Sequence, residues 1–497
     1  MDPPEITGPT PSPTQIGPTA SPTKSPTASP TITAAPTIYR EPNTLLQTTE
    51  ARNAWDIFQA LDWMTFSNGE NPPNYALVAS GGAAGDGSYV VSESQSYALL
   101  ISGTVLASWD QHAGQVAGSN RQQVLDTFEG YFNFWKGMCY DSRDDLSILA
   151  QRFLRRIRTL TPIFDDFSTI RSHWQHWKTG GKSQTGAAPD GDEDAIVGII
   201  LAVTAVENDN PKPVWYNEAR KWADASASAF WEFNVDKSRS GFPLVKLGSC
   251  WGGWGGQGNN PSYHSPGSYR IMRDYQKTFP NSDRNGYNAV DESDWNDLVK
   301  TTHEMLLAVQ CSGGGGHEFA LVPNWATVDL QNNQIVHSGG SFSGSGTAQY
   351  EYGAEAARTT FRVALDAAFY PELSAEWSHY LGRYHMMLED GYSAQSESWA
   401  SNTLQTCRAP NTSQDIRPFG GWDNNAFIFG PTYSSLIAAP PSVPYAQEMV
   451  DAAAKRLAGD LSGDYYARSW NLISSLMLSG AMEDAGQTFH SRNGALN

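Results

Sequence analysis

The feature that most constrains this chain is a succession of apolar stretches spaced at i, i+3, i+4 and i+7, with almost no period-two alternation. They occupy 55–61, 97–106, 124–135, 196–206, 214–233, 295–309, 361–368, 377–387 and 470–478. Loops rich in Gly, Ser, Asn and Trp separate them. This pattern predicts one mainly helical domain, over 41–497, whose long loops carry the function. Residues 1–40 are different: Pro-Thr pairs recur among Ser, Ala and Gly, and such a tract has almost nothing to bury. It reads as a disordered linker of the O-glycosylated, extracellular kind. Met1-Asp2-Pro3 lacks a charged, apolar leader, so a processed or truncated start of a secreted protein is expected.

Charge and aromatic content narrow the partners. The 33 Lys and Arg against 52 Asp and Glu give a formal charge of −19, which disfavours nucleic acids and anionic membranes. The longest apolar run, 195–206, is too short to span a bilayer. The 17 Trp, 21 Tyr and 20 Phe exceed what a core of this size needs, and flat aromatic faces stack on sugar rings. Cys139, Cys250, Cys311 and Cys407 form no CxxC pair, so one or two disulfides are expected rather than zinc, with pairing left open. Asn411-Thr412-Ser413 is a glycosylation sequon.

Four segments carry candidate chemistry. Glu93, in Ser92-Glu93-Ser94-Gln95-Ser96-Tyr97, opens an apolar helix and reads equally as a catalytic acid or a carboxylate favoured by the helix dipole. Asp190, Asp192, Glu193 and Asp194 also open a helix. Their D-x-D-x-D spacing resembles a calcium loop, but Ala195 stands where Gly belongs and Leu201 where Glu belongs. A sugar-binding carboxylate is the better functional reading, and a surface acidic helix start accounts for at least two of the four acids. From Cys250 to Tyr263, glycines let the backbone approach a ligand, Trp251, Trp254 and Tyr263 offer stacking faces, and Asn260 offers an amide for hydroxyls. Glu355 and Arg358 share a helix face, as a site or as an ordinary i,i+3 pair. Gly181-Lys182-Ser183 lacks the rest of a phosphate loop, His303-Glu304 lacks a second His, and the serines around Ser343 form no nucleophile elbow.

Taken in order, these segments resemble glycoside hydrolase family 8, the bacterial endoglucanases, xylanases, lichenases and chitosanases. Ser92 to Tyr97 fits the family's S-E-G-Q-[SG]-Y segment with one change. Ala188-Pro189-Asp190-Gly191-Asp192 fits A-[ST]-D-[AG]-D with Pro189 departing. Asn260 to Tyr263 is the N-P-S-Y segment, Leu321 to Trp325 resembles L-x-P-D-W with Asn324 for Asp, and Phe427 to Pro431 and Tyr465-Tyr466 resemble the closing segments. The resemblance implies an all-α (α/α)6 barrel whose long loops form a substrate cleft. It also implies inverting hydrolysis of internal β-1,4 linkages, with β-glucan first and xylan or chitosan as alternatives. Glu93 maps onto the general acid and Asp190 onto the residue beside the scissile bond. The base segment, Y-D-A-x-R in many members, is matched by Ala354-Glu355-Ala356-Ala357-Arg358, so Glu355 stands for Asp. Glu351, from the loop before this helix, is the second candidate. Trp135, Tyr97, Trp251, Trp254, Tyr263, Asn260 and Arg358 are the expected substrate contacts. No cofactor or metal is implied, and a monomer is expected. A sugar-binding protein without activity, or a lyase with a Tyr or His base, remains open beside the hydrolase.

Overall fold

The computed structural model describes residues 54–61, 65–67, 75–77, 92–110, 120–141, 188–248, 252–254, 258–278, 288–311, 320–329, 334–336, 349–410, 414–438, 445–460 and 463–494. The Pro/Thr tract, Trp251 and the sequon lie outside them. The described residues belong to one unit, 40–497.

Helices dominate. In chain order they are α1 Ala54–Leu61, α2 Ser92–Ala107, α3 Arg121–Asp141, α4 Pro189–Ala205, α5 Tyr216–Asn234, α6 Pro266–Thr278, α7 Glu292–Val309, α8 Ala354–Phe369, α9 Ser374–Gly391, α10 Ala426–Tyr433, α11 Ala446–Gly459, α12 Tyr465–Leu478 and α13 Ala481–Gly494. Their packing closes a ring: α2 lies on α4, α4 on α6, α6 on α8, α8 on α10, α10 on α12, and α12 returns to α2. The helices between them in sequence, together with α1 before α2, form the outer layer, giving the (α/α)6 barrel.

The two layers bury different faces. Every residue of α4 is buried, which is why its sequence from Ala195 on is apolar all round. The outer α5 buries Tyr216, Ala219, Trp222, Ala223 and Phe230 at helical spacing and leaves Glu218 and Lys221 to solvent. Helix α13 packs on α2, α4 and α8, with Phe489 against Phe369 at the C-terminal end of α8. It covers the barrel end opposite the start of α8. Among the described residues no helix is long and apolar enough to cross a membrane.

Short strands edge the other end. A three-stranded sheet contains β1 Glu351–Tyr352, β2 Cys407–Arg408 and β3 Asp415–Pro418 in the order β2-β3-β1. β3 pairs antiparallel with β2 and parallel with β1, with Arg417 opposite Glu351. Cys311 and Cys407 are disulfide-bonded.

Helices α2 and α4 approach through glycines. A Cβ on Gly198 would lie 2.4 Å from the Leu99 carbonyl carbon and oxygen, and one on Gly103 would lie 2.2 Å from the Gly198 carbonyl oxygen. Backbone cannot yield as a side-chain tip can. Gly198→Ala is therefore expected to destabilise at the upper end of the about 1–3 kcal/mol typical of overpacking. An unchanged thermal midpoint would show that the helix pair is not held this closely.

Candidate active site

Each central carboxylate sits in the first turn of an inner helix. Glu93 is the second residue of α2, whose Gln95 anchors the turn by donating to the backbone carbonyls of Tyr75 (3.1 Å) and Tyr131 (3.0 Å). Asp190 follows Pro189 at the start of α4. Proline suits that position, since its fixed φ is helical and the missing N–H would have no helical partner. This accounts for the departure at Pro189. Glu355 opens α8, and Asn324 caps that helix from another segment, its Oδ1 accepting from Gly353 N (3.1 Å) and Ala356 N (2.9 Å). Asp464 caps α12 by accepting from Ala467 N (3.0 Å), which sets Tyr465 at its first position.

Arg358 joins the three carboxylates. Its Nη1 donates to Glu93 Oε1 (3.0 Å) and Asp190 Oδ2 (2.5 Å), and its Nη2 donates to Glu355 Oε2. The Arg358 side chain is 1% exposed and Asp190 4%, whereas Glu93 and Glu355 each keep 26%. Glu93 and Glu355 therefore present their carboxyls to the open side, and Arg358 and Asp190 form the floor. The guanidinium lies 5.8 Å from the Tyr263 ring centre and 5.9 Å from that of Tyr466. The pair resembling a surface i,i+3 contact is thus the centre of the cluster.

Burial pushes the Glu93 carboxyl up from 4.5 to about 7. The Arg358 charge pulls it down, while the nearby Asp190 and Glu355 carboxylates add to the rise. A helix N-terminus alone favours the anion, so burial outweighs the position that sequence made ambiguous. Tyr465 donates its hydroxyl to Glu93 Oε2 (3.1 Å), and burial keeps that phenol protonated by raising it.

The acidic run is not a surface feature. Asp190, Asp192, Glu193 and Asp194 are all buried, and each has its own partner: Arg358, Asn234 (2.9 Å), Tyr269 (2.7 Å) and Arg362 (2.9 Å to Oδ2). Acids four apart on α4 thus meet arginines four apart on α8. Their diverging partners also separate the D-x-D-x-D carboxylates, and no metal-holding group of His, Cys, Asp or Glu occurs among the described residues.

Several expected substrate contacts have other roles. Asn260 is fully buried; its Nδ2 donates to Glu355 Oε2 (2.6 Å) and its Oδ1 accepts from Ser262 N (2.9 Å). It holds a carboxylate instead of facing a sugar. Tyr97 is fully buried one turn after Glu93 and accepts from Trp470 Nε1 (3.0 Å), so it is the wall behind that residue. Trp254 is buried, donates from its indole to Phe242 O (2.8 Å) and lies under Arg239. Trp135 is buried in the outer α3. In both tryptophans the ring fills space between elements, which an aromatic-rich loop or helix does as readily as it binds sugar. Tyr263 remains beside the cluster. Glu351 lies in β1, its carboxyl raised by burial. The contacts of Tyr465 and Tyr466 with the cluster, and the capping role of Asn324, do not follow from the sequence, where Tyr465-Tyr466 is only a matching segment and Asn324 a departure from Asp.

No protein-family model matches the chain. It is 24% identical over 238 residues to Endoglucanase C of Ruminiclostridium cellulolyticum, covering 46% of this chain and 43% of that protein. Endoglucanase 2 of Ruminiclostridium josui matches with the same identity and coverage. The match spans less than half the length of these curated relatives. Among solved structures, a reducing-end-xylose releasing exo-oligoxylanase superposes with a TM-score of 0.50 at 14% identity, over 89% of this chain and 96% of that one. A variant of that enzyme complexed with xylobiose gives 0.51, also at 14% identity and with the same coverage. These likenesses establish the barrel.

Proposed function

We propose that the chain, a divergent member of glycoside hydrolase family 8, hydrolyses internal β-1,4 linkages of a β-glucan with inversion. The observation that carries this is the trio of carboxylates on Arg358, in which burial lifts Glu93 to about 7 while Glu355 faces the same open side. The endoglucanase names of its relatives support the glucan.

In the reaction, protonated Glu93 gives its proton to the glycosidic oxygen as the bond from that oxygen to the anomeric carbon breaks. Water attacks that carbon from the opposite face, and Glu355 takes the water's proton. Both carboxyls are then restored by proton exchange with solvent. Inversion needs the two carboxyls about 6.5–9.5 Å apart, leaving room for the water. Arg358 and Asn260 hold the Glu355 carboxylate in place to act as base. Asp190, buried beside Glu93, contributes to holding the acid protonated. Tyr263 supplies an aromatic wall.

We also place the protein outside the cell. The Pro/Thr/Ser tract and the Cys311–Cys407 disulfide support an oxidising, extracellular setting.

The test is a panel of carboxymethylcellulose, mixed-linkage β-glucan, xylan and chitosan, read by new reducing ends and by viscosity. New ends with an early viscosity loss on the β-glucans are expected. Ends from xylan or chitosan alone would move the substrate class. No ends from any polymer would favour a sugar-binding protein, and ultraviolet-absorbing products would indicate a lyase.

Asn260 gives a sharper prediction. Asn260→Ala removes a hydrogen bond to a charged carboxylate, worth about 1.5–3 kcal/mol. Because that bond orients Glu355, kcat is expected to fall about 10- to 100-fold with KM little changed. A rise in KM at constant kcat would return Asn260 to substrate binding.

A further inference from the structure

We infer that the Cys311–Cys407 disulfide positions Glu355 by closing a clamp around the start of α8; this rests on the reading of Glu355 as the base. A helix's first turn has N–H groups without helical partners, so its placement depends on what holds the preceding residues. Here those residues are β1, only Glu351–Tyr352, which is too short to hold itself.

Two supports grip it, one on each side. The first is the segment 320–326. Asn324 N donates to Glu351 O (2.9 Å), and the Asn324 side chain caps α8. Ala326 exchanges backbone hydrogen bonds of 2.8 Å with Asn259, the neighbour of the residue that holds Glu355. This segment is fastened at its root by Cys311, whose N–H donates to Leu321 O (2.9 Å). The second support is β3. Arg417 N donates to Tyr350 O (2.9 Å) and Phe419 N to Tyr352 O (3.1 Å). β3 is held in turn by β2, where Cys407 lies opposite Ile416.

Both cysteines are therefore roots of supports that meet on the same few residues before Glu355. They are 96 positions apart in sequence and both buried. The bond between them makes the two supports one closed frame. Without it that covalent tie between the two supports is lost. Catalytic groups need placement to within about 0.5 Å, and a misplacement of about 1 Å can cost a factor of about 10². The clamp thus acts on rate through the base, apart from any effect on overall stability.

The experiment is the double variant Cys311→Ser with Cys407→Ser, assayed well below its melting temperature. We expect kcat to fall at least about tenfold with KM nearly constant, and the acid limb of the kcat/KM profile, which reports the base, to shift. Amide exchange followed by mass spectrometry should quicken over 349–358 while 92–107 stays protected. A lower melting temperature with unchanged kcat, pH profile and exchange would overturn the proposal, since that is what a merely structural disulfide does. If the serine variant does not fold, Cys311→Ala with Cys407→Ala tests the same points. Should the wild-type protein cleave no polysaccharide in the panel, the hydrolase reading falls. The exchange measurement then decides the clamp alone: faster exchange at 349–358 supports it and unchanged exchange there overturns it.

Discussion

Glu93→Gln is expected to lower kcat on β-glucan about a thousandfold, within the about 10²–10⁴ that general acid–base catalysis contributes. The substitution keeps the shape of the side chain and an oxygen for Arg358, but removes the proton that the leaving oxygen needs. An aryl glucoside with an acidic phenol as leaving group needs little protonation, so its cleavage should suffer much less. The same residue sets the pH profile. Because burial lifts Glu93 from 4.5 to about 7, the wild-type rate should fall as pH rises through about 7. The stability consequence has a definite sign. A carboxyl whose folded value is raised favours the folded state fully below about 4.5, and that contribution is lost as pH climbs through about 7. Glu93→Gln carries no such loss, so its melting temperature should gain on the wild type between pH 4.5 and 8. Equal kcat in the two proteins would exclude Glu93 as the acid.

Arg358→Met is expected to be the most damaging single change for stability. It leaves Asp190 and Glu355 without the charge that now faces both, and Asp190 is buried. Removing one partner of a buried ion pair costs about 3–5 kcal/mol, which is a large part of the stability of most domains. Arg358→Lys separates charge from geometry. Lysine restores a positive charge but is a point donor that cannot serve three carboxylates from one plane. Its stability should recover in part while kcat stays low. Urea unfolding at pH 7, with kinetics on the lysine variant, checks both points. A methionine variant as stable as the wild type would show that the three carboxylates are not held by this residue.

Sequence revealed some of this and hid the rest for physical reasons. The run 195–206 reads as helix because an inner barrel helix is buried on every side. Ring closure does not follow from periodicity, which says nothing about which helix meets which; the barrel was legible only through the ordered motifs. Those motifs also brought Glu93, Asp190, Glu355 and Arg358 onto one list, and the structure gathers them at one guanidinium. The burial of Asp192, Glu193 and Asp194 was hidden because their partners lie far along the chain, Arg362 being 168 residues from Asp194. The burial of Tyr97, Trp135 and Trp254 is not legible because the ring that stacks on a sugar also fills a gap between helices. The bond from Asn260 to Glu355 is not legible because an amide that can serve a hydroxyl serves a carboxylate equally well. Tyr465 and Tyr466 were legible only as a matching segment, since tyrosines at the start of an apolar helix otherwise look like core.

In the proposed mechanism Glu93 and Glu355 act from opposite faces of a β-linked sugar in a single displacement. Proton NMR of a cello-oligosaccharide during the first minutes of cleavage tests it most directly, before the fresh reducing ends equilibrate. The account predicts that the α-anomer accumulates first and then mutarotates. First appearance of the β-anomer would mean net retention, and would contradict it.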